Sequence, residues 1–239
     1  MSQRTALVVG GTSGIGLATA RLLHRRGTTV HVAGRSEDRL DAVAATDPEL
    51  TGHRADAGNA EEIGALIESI GTIDWLVLTL SGSDGIGPVA ELDLEVLRGA
   101  FDAKFWAHLT TIKAALPHLA KDGSITLLGA ITARAGLPGT SGVAALNGAV
   151  ESLVKPLATE LAPVRVNGVS PGVVDTPWWN GIPDEARQAY FAQVAAALPA
   201  RRVATAEDIA EVVVLAATNA NTTGTVIESD GGARLVSLA

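Results

Sequence analysis

A glycine-rich turn lies directly after the first apolar run of the chain. It reads Val8-Val9-Gly10-Gly11-Thr12-Ser13-Gly14-Ile15-Gly16, and a helical pattern continues from it through Ala20 and Leu23. Glycine lets a backbone turn sharply and approach a ligand, while the first N–H groups of a helix have no partners within that helix. These groups and the positive end of the helix dipole favour an anion such as a pyrophosphate. The turn therefore predicts a strand–turn–helix unit that binds a dinucleotide; the alternative is a tight turn with a structural role only.

Short runs rich in Val, Leu and Ile alternate with longer amphipathic segments along all 239 residues. This alternation is typical of a parallel sheet with helices on both faces. We predict one α/β domain over residues 1–239, a doubly wound Rossmann fold with a seven-stranded parallel sheet. The predicted strands are Thr5–Val9, Thr29–Ala33, Gly52–Ala55, Trp75–Thr79, Ser124–Leu128, Val164–Val169 and Thr225–Glu228.

Helix starts are predicted at Ser36, Asp93 and Thr205, because each is followed by acidic residues and offers an oxygen to the free N–H groups of a first turn. A long alanine-rich helix is expected from about Gly142 to Leu161. Pro156 would bend this helix or lie on its exposed side, and Pro163 follows its end.

Charge and cysteine content exclude several classes of function. The net charge of −8 disfavours nucleic acid and anionic membranes as partners. No apolar run approaches the roughly 20 residues of a membrane span, and the chain start lacks a signal-peptide pattern. The chain has no cysteine, hence no disulfide or thiolate, and its five histidines show no metal-ligand spacing. We therefore expect a cytoplasmic protein without a bound metal.

The spacing of Gly10, Gly14 and Gly16 resembles the Gly-x-x-x-Gly-x-Gly motif of the short-chain dehydrogenase/reductase family. Four further segments are similar to the same family, in the same order, so that the resemblance covers essentially the whole chain. These segments are Asp56-Ala57, Arg165-Val166-Asn167 leading through Ser170-Pro171-Gly172 to Thr176, Thr223-Gly224, and Asp230-Gly231-Gly232. The resemblance implies that the first holds adenine and that the second holds the nicotinamide carboxamide.

The end of the second predicted strand indicates which dinucleotide is bound. Gly34 stands where an NAD-preferring protein has an acidic residue for the ribose 2′-hydroxyl. Arg35 and Ser36 can instead bind a 2′-phosphate, which favours NADP(H), although Ser13 stands where many NADP-binding relatives have a basic residue. The alternative is an arginine on a solvated loop. The expected cofactor-binding residues are Gly10, Thr12, Ser13, Gly14, Ile15, Gly16, Arg35, Ser36, Asp56, Ala57, Ser81, Gly82, Asn147, Pro171, Gly172, Val174 and Thr176.

The positions that carry catalysis in the family are changed in this chain. The resemblance places Val143 at the catalytic tyrosine, Asn147 at the lysine four residues later, Ala130 at the serine, and Lys104 at the asparagine. Val143 has no proton to give, and neutral Asn147 cannot lower a neighbour's pKa, although its amide can bind a ribose.

Lys104 is the leading catalytic candidate, because a desolvated lysine can donate a proton or stabilise an oxyanion. The alternative is that Lys104 pairs with Asp102 or another carboxylate and braces its helix. Asn147 and Thr132 are the other catalytic candidates, with loop capping as the alternative for Thr132. His108, four residues after Lys104, belongs either to a proton relay or to the packing.

The segment 177–198 is expected to form a lid over the substrate, with Trp178 and Trp179 closing an apolar pocket. Tyr190, the only tyrosine, either packs in this lid or supplies a proton from it.

Two functions remain open. The first is an NADP(H)-dependent oxidoreductase that acts on an activated C=N, C=C or C=O bond of a small molecule with an unusual proton-transfer set. The second is a protein that binds NADP(H) or a small ligand without turnover. The resemblance also implies a homotetramer or dimer, assembled through the last helix around 207–217 and the terminal strand.

Overall fold

The sheet has the predicted architecture. The protein is represented by a computed structural model, which describes residues 3–82 and 85–236. The strands are β1 (Thr5–Val9), β2 (Thr29–Gly34), β3 (Thr51–Arg54), β4 (Ile73–Leu78), β5 (Leu119–Leu128), β6 (Arg165–Pro171), β7 (Val174–Asp175), β8 (Ala204–Thr205) and β9 (Val226–Ser229). Seven of them form a parallel sheet in the order β3-β2-β1-β4-β5-β6-β9, and the two short strands β7 and β8 pair separately. The predicted single-domain Rossmann fold is confirmed.

The three predicted helix starts are also found. Ser36 and Asp93 each accept a hydrogen bond from a first-turn N–H group, and Thr205 forms a reciprocal capping box with Asp208. The helices are α1 (Gly14–Arg25), α2 (Glu37–Thr46), α3 (Ala60–Ile70), α4 (Leu94–Phe101), α5 (Ala107–Ala115), α6 (Ser141–Ser152), α7 (Val154–Glu160), α8 (Asp184–Ala197) and α9 (Ala206–Thr218).

The prediction of one continuous helix from Gly142 to Leu161 is wrong. The segment consists of α6 and α7, which meet at Leu153. Pro156 has no N–H to donate to the carbonyl of Ser152, and its ring would crowd that carbonyl, so the α-helical ladder is interrupted one turn earlier.

The core has two halves, one on each face of the sheet. Alternate residues of β1 point to opposite faces, so that Ala6 and Val8 pack towards α1 and α9, whereas Leu7 and Val9 pack towards α3 and α5. In register, Val8 lies between Val32 of β2 and Val77 of β4. Because both faces are covered, the central strands are apolar throughout rather than alternating.

The strand order places a crevice between β1 and β4. The chain leaves β1 towards β2 on one side and later returns to β4 on the other side. In open parallel sheets, ligands bind beyond the carboxyl ends of the strands at such a reversal. The glycine-rich turn lies at this point.

A π-helical turn, Asp102–Trp106, joins α4 to α5. Such a turn contains one residue more than an α-helical turn, and this changes which side chains face inward. Lys104 lies in the turn and is buried.

Within the described ranges, no helix has the length and apolar character needed to span a membrane. The same ranges contain no cluster of three or more His, Asp or Glu side chains that is arranged to hold a metal ion.

Candidate active site

The turn after β1 forms a cradle with free donors. Gly10 and Gly14 have φ angles of +84° and +50°, the left-handed region that favours glycine. The Ser13 side chain makes no capping hydrogen bond to α1, and the first turn of α1 has no acidic residue. The first N–H groups of α1 therefore remain available to an anion.

Close packing behind the cradle requires the absence of side chains. A Cβ atom on Gly10 would lie 2.8 Å from the carbonyl oxygen of Thr79, and one on Gly16 would overlap the carbonyl oxygen of Gly10. Thr79 itself is fixed, because its hydroxyl donates to the carbonyl oxygen of Val9 at 3.0 Å. The turn is thus held tightly against the end of β4.

The end of β2 has no room for a larger side chain. A Cβ atom on Gly34 would lie 2.8 Å from Cγ2 of Thr12, so an acidic residue at this position would displace Thr12. Ser36 is engaged as the cap of α2 and accepts from the N–H of Arg39 at 3.3 Å. Arg35 is exposed, and no hydrogen bond or ion pair joins its side chain to another described residue. Its guanidinium is available to an external anion.

The ends of β3 and β4 border the same crevice. Asp56 is half-buried, and one of its carboxylate oxygens accepts from the N–H of Gly58 at 2.9 Å. Ala57 is buried. Ser81 is exposed, whereas Gly82 is half-buried, and its α-carbon faces Leu146.

The segment after β6 returns to the glycine-rich turn. Pro171 and Val174 are buried, and the half-buried Gly172 allows close approach to Asp230. Thr176 lies against the start of α1, since a Cβ atom on Gly14 would be 3.4 Å from the Thr176 Cβ. Residues about 160 positions apart in the chain therefore meet at one helix N-terminus, as the order of the motifs predicts.

The three catalytic candidates form one hydrogen-bonded chain. Lys104 Nζ donates to Asn147 Oδ1 at 2.6 Å, and Asn147 Nδ2 donates to Thr132 Oγ1 at 3.0 Å. Asn147 Nδ2 also donates to the carbonyl oxygen of Val143 at 2.9 Å. Because Thr132 Oγ1 accepts from Asn147, its own hydroxyl proton remains available to a ligand. Lys104 and Asn147 are buried, while Thr132 is half-buried.

Lys104 has an unusual environment for a lysine. Only 5% of it is exposed, and its second acceptor is the carbonyl oxygen of Gly129 at 3.5 Å. Burial lowers the pKa of Lys104 from 10.5 to about 8, although the charge of Glu151 opposes this decrease. Asp102, one of the alternative partners of Lys104, is exposed, and Lys104 forms no direct ion pair with a carboxylate in 3–82 or 85–236; the charge of Glu151 acts on it without direct contact.

His108 packs beneath this chain. It is fully buried, and its Nδ1 lies 2.7 Å from the backbone carbonyl oxygen of Lys104 rather than near the ammonium. Burial and the Lys104 charge lower the pKa of His108 to about 4, so that it is neutral at physiological pH. The geometry supports the packing alternative and forms no relay to the Lys104 amine.

The segment 177–198 consists of a 3₁₀ turn, Pro177–Trp179, and helix α8. Its aromatic side chains pack on one another: the Trp179 ring lies 5.2 Å from that of Tyr190 and 5.5 Å from that of Phe191. Trp179 Nε1 donates to the carbonyl oxygen of Val174 at 2.9 Å. Tyr190 therefore lies in an aromatic cluster, and burial raises the pKa of its hydroxyl. This is the packing role, and the idea of a lid over substrate stays a prediction.

Two charged residues near Lys104 were missed by the sequence analysis. Glu151 Oε2 accepts from Arg134 Nε at 2.8 Å, and Arg134 Nη1 also donates to Glu228 Oε1 at 2.7 Å. Glu151 lies one helical turn after Asn147, and this i,i+4 spacing was the available signal.

The arrangement can hold an anionic dinucleotide and present one hydroxyl to a second molecule. The glycine cradle, the free N–H groups of α1 and the unpaired Arg35 offer donors for phosphates. Thr132 offers a hydroxyl that is backed by a buried positive charge.

Comparisons with known proteins identify a family of similar sequences and structures. A family model described as Enoyl-(Acyl carrier protein) reductase matches residues 9–234. The chain is 32% identical over 246 residues to a cis-4-hydroxycyclohexanecarboxylate dehydrogenase of Sinomonas cyclohexanicum, covering 97% of this chain and 96% of the relative.

Two solved structures are also similar. A small-chain dehydrogenase in complex with NADPH has a TM-score of 0.86 and 35% identity, covering 98% of this chain and 100% of the other. A short chain oxidoreductase from Pseudomonas aeruginosa PAO1, solved with NADPH bound and said to contain an atypical catalytic center, has a TM-score of 0.87 and 29% identity, covering 96% of each chain.

Proposed function

This chain belongs to the short-chain dehydrogenase/reductase family, and from that premise we propose that it is an NADP(H)-dependent oxidoreductase that reduces an activated C=N, C=C or C=O bond of a small molecule. The observation that carries this proposal is a dinucleotide cradle beside a hydrogen-bonded chain that ends on one free hydroxyl, that of Thr132.

The end of β2 supports NADP(H) as the cofactor. Arg35 is exposed and unpaired within the described residues, and Gly34 leaves no carboxylate that would repel a 2′-phosphate. Two similar structures contain NADPH. Arg35 would bind the 2′-phosphate with Ser36, and the N–H groups at the start of α1 would bind the pyrophosphate. When bound, the nicotinamide supplies a hydride.

The side chains that donate a proton or a hydrogen bond to the substrate in the family are replaced in this chain. Val143 stands at the position of the tyrosine, Ala130 at that of the serine, and neither can give a proton. Lys104 and Asn147 occupy the asparagine and lysine positions in exchanged order, and the two side chains bond directly. The Pseudomonas oxidoreductase with an atypical catalytic center provides a precedent among the similar structures.

Thr132 is the residue that would contact the substrate heteroatom. Addition of a hydride to the carbon of a C=X bond moves an electron pair to X, and the hydroxyl of Thr132 can donate a hydrogen bond to that charge. Asn147 orients this hydroxyl, and the Lys104 ammonium stabilises the negative charge from behind Asn147. Lys104 is too deeply buried to touch the substrate, so its role is electrostatic, and water supplies any proton that the product needs.

This arrangement favours an electron-poor substrate. An iminium carbon needs no proton when it accepts a hydride, because the nitrogen electron pair simply becomes free. A conjugated enone spreads the developing charge over several atoms, and water then protonates the enolate. An unactivated ketone concentrates the charge on one oxygen and would react slowly with a hydroxyl as its only donor.

The test is consumption of NADPH in the presence of cyclic imines, conjugated enones and simple ketones, followed by its absorbance and by product analysis. We expect turnover of an imine or an enone well above the cofactor-only control. With a conjugated enone, Thr132→Val should lower kcat about 100-fold, as expected for loss of one oxyanion donor, and leave the Kd for NADPH within about twofold. Equal turnover of the enone by Thr132→Val would refute the role of this hydroxyl.

A binding protein without turnover is the second candidate. One observation favours it. Lys104, the one buried lysine among the described residues, lies behind Asn147, and Val143, one helical turn before Asn147, has no titratable group, so neither residue presents a proton donor to a substrate. Under this alternative, calorimetry detects NADPH binding while no class of substrate consumes it.

Assembly and location complete the proposal. The edge strand β9 is half-exposed along its whole length, and Leu215 and Leu235 are exposed nearby, which supports a homotetramer or dimer formed through this side. Light scattering of the purified protein tests this expectation.

A cytoplasmic location is proposed from the absence of cysteine alone.

A further inference from the structure

The Lys104 ammonium is a buried charge that has only neutral hydrogen-bond partners. Its two acceptors are the amide oxygen of Asn147 and the carbonyl oxygen of Gly129. A buried ammonium without a compensating negative charge tends to lose its proton, because the interior solvates the neutral amine better. Some group must hold this charge if Lys104 is to act electrostatically at neutral pH.

Glu151 lies on the other side of Gly129. A Cβ atom on Gly129 would be 2.7 Å from Glu151 Oε1, so the carboxylate occupies the space that a side chain would take. The carboxylate and the ammonium thus flank one residue, the carboxylate against its α-carbon and the ammonium near its carbonyl oxygen. The Glu151 side chain is only 8% exposed.

The two oxygens of Glu151 are used differently. Oε2 accepts from Arg134 Nε at 2.8 Å, whereas Oε1 is buried and has no hydrogen-bond partner in the described part of the chain. Most buried polar atoms in folded proteins have a hydrogen-bond partner, so a buried carboxylate oxygen without one is unusual. Arg134 is anchored in turn by Glu228, and it holds the Glu151 carboxylate in place.

We propose that Glu151 is a positioning residue that acts through Lys104: its buried carboxylate is the counter-charge that keeps the Lys104 ammonium protonated at neutral pH. This inference rests on the proposed electrostatic role of Lys104. The other titratable groups around Lys104 cannot serve instead, because His108 packs beneath it as a neutral ring and Asp102 is exposed.

The pKa of Lys104 is consistent with this arrangement. Burial lowers it to about 8, and the Glu151 charge is the one influence that raises it. Nearby opposite charges shift a pKa by about 1 or more in the direction that keeps the charged form. Loss of the carboxylate should therefore make Lys104 largely neutral at physiological pH.

The test is a lysine titration by NMR. The chain contains four lysines, Lys104, Lys113, Lys121 and Lys155, and the last three are exposed. Protein labelled with ¹³C at the lysine side chains should give one signal that is absent from Lys104→Met and that has a midpoint near pH 8. We expect Glu151→Gln, which keeps the shape of the side chain, to lower this midpoint by about 1.

Glu228→Gln is the matched control. It removes an equal charge from the same Arg134 side chain, but Glu228 lies on β9 and does not face Lys104. The titration midpoint of Lys104 in Glu228→Gln should equal that in the wild type. An unchanged midpoint in Glu151→Gln, or an equal decrease in Glu228→Gln, would overturn the proposal.

Glu151→Asp keeps the charge but retracts it by one methylene, so its midpoint should lie between those of the wild type and Glu151→Gln. Should Glu151→Gln not fold, an Asp variant with the wild-type midpoint overturns the proposal. The titration needs neither cofactor nor substrate. Its failure is therefore distinct from a failure of the proposed reductase, which would appear only as absent NADPH turnover.

Discussion

Replacement of Lys104 by methionine should change the unfolding free energy by an amount that depends on pH. The variant should gain stability over the wild type at neutral pH, and this gain should disappear at high pH. The pKa of Lys104 is about 8 in the folded protein and 10.5 in a solvated chain. Below pH 8 Lys104 is protonated in both the folded and the unfolded protein. Burial of its charge then destabilises the folded protein by the full free energy that corresponds to the difference between the two pKa values. Between pH 8 and 10.5 only the unfolded chain binds the proton, so the stability of the wild type rises with pH.

The magnitude follows from the two pKa values. Their difference of about 2.5, at about 1.36 kcal/mol for each pH unit, corresponds to about 3 kcal/mol. Lys104→Met also leaves Asn147 Oδ1 without its donor, a loss of about 1 kcal/mol or more that is independent of pH. Comparison of the variant with the wild type at two pH values cancels this second contribution.

The assay is urea denaturation of both proteins at neutral pH and at pH about 10.5. The difference in unfolding free energy, variant minus wild type, should be about 3 kcal/mol larger at neutral pH. Lys113→Met, a change at an exposed lysine on α5, is the matched control and should show little difference between the two conditions. If Lys104→Met showed the same difference at both pH values, Lys104 would not be a buried charge, and the proposed electrostatic role would fail with it.

Three other outcomes are expected. Arg35→Ala should raise the Kd for NADPH about tenfold or more by calorimetry, since a charge-assisted pair to the 2′-phosphate is lost; an equal change in the Kd for NADH would contradict this role. Gly16→Ala should destabilise the fold by about 2 kcal/mol in urea, because its Cβ atom would overlap a backbone oxygen of the turn. Gly64→Ala, with open space around it in α3, should be neutral or stabilising, and similar losses in both variants would refute the packing argument. Finally, His31 and His53 share a 2.9 Å contact between ring nitrogens, and burial lowers the pKa of each below 6.5, with the His53 charge adding to the decrease at His31. As pH falls through 6.5, the histidines of the unfolded chain bind protons before those of the folded protein, so the unfolding free energy should decrease. This decrease should be smaller in His31→Gln. An equal decrease in the variant and the wild type would exclude the histidine pair as the cause of the acid dependence.

The strands and the glycine-rich turn could be predicted because local sequence determines them. Each central strand is an apolar run buried on both faces, and the observed bounds of β1 are those predicted. The turn needs glycine at Gly10 and Gly14, where φ is positive, and only the sequence can supply that. The helix caps at Ser36, Asp93 and Thr205 are equally local.

The split of the predicted helix at Leu153 shows the limit of such patterns. Periodicity runs on through Pro156, but a proline removes one hydrogen bond and crowds the preceding turn. The same is true of the π turn that buries Lys104, since no local residue pattern distinguishes it from an ordinary α-helical turn.

The sequence by itself determined that the chain has a parallel sheet and a glycine-rich turn between its first strand and first helix. Only the tertiary structure decided that Lys104 bonds to Asn147, that Thr132 is the free end of this chain, and that Glu151 lies across Gly129 from the ammonium. The reason is physical: a glycine turn or a strand is defined by neighbours in sequence, whereas the charge state of a buried lysine depends on groups that meet from separate helices and loops.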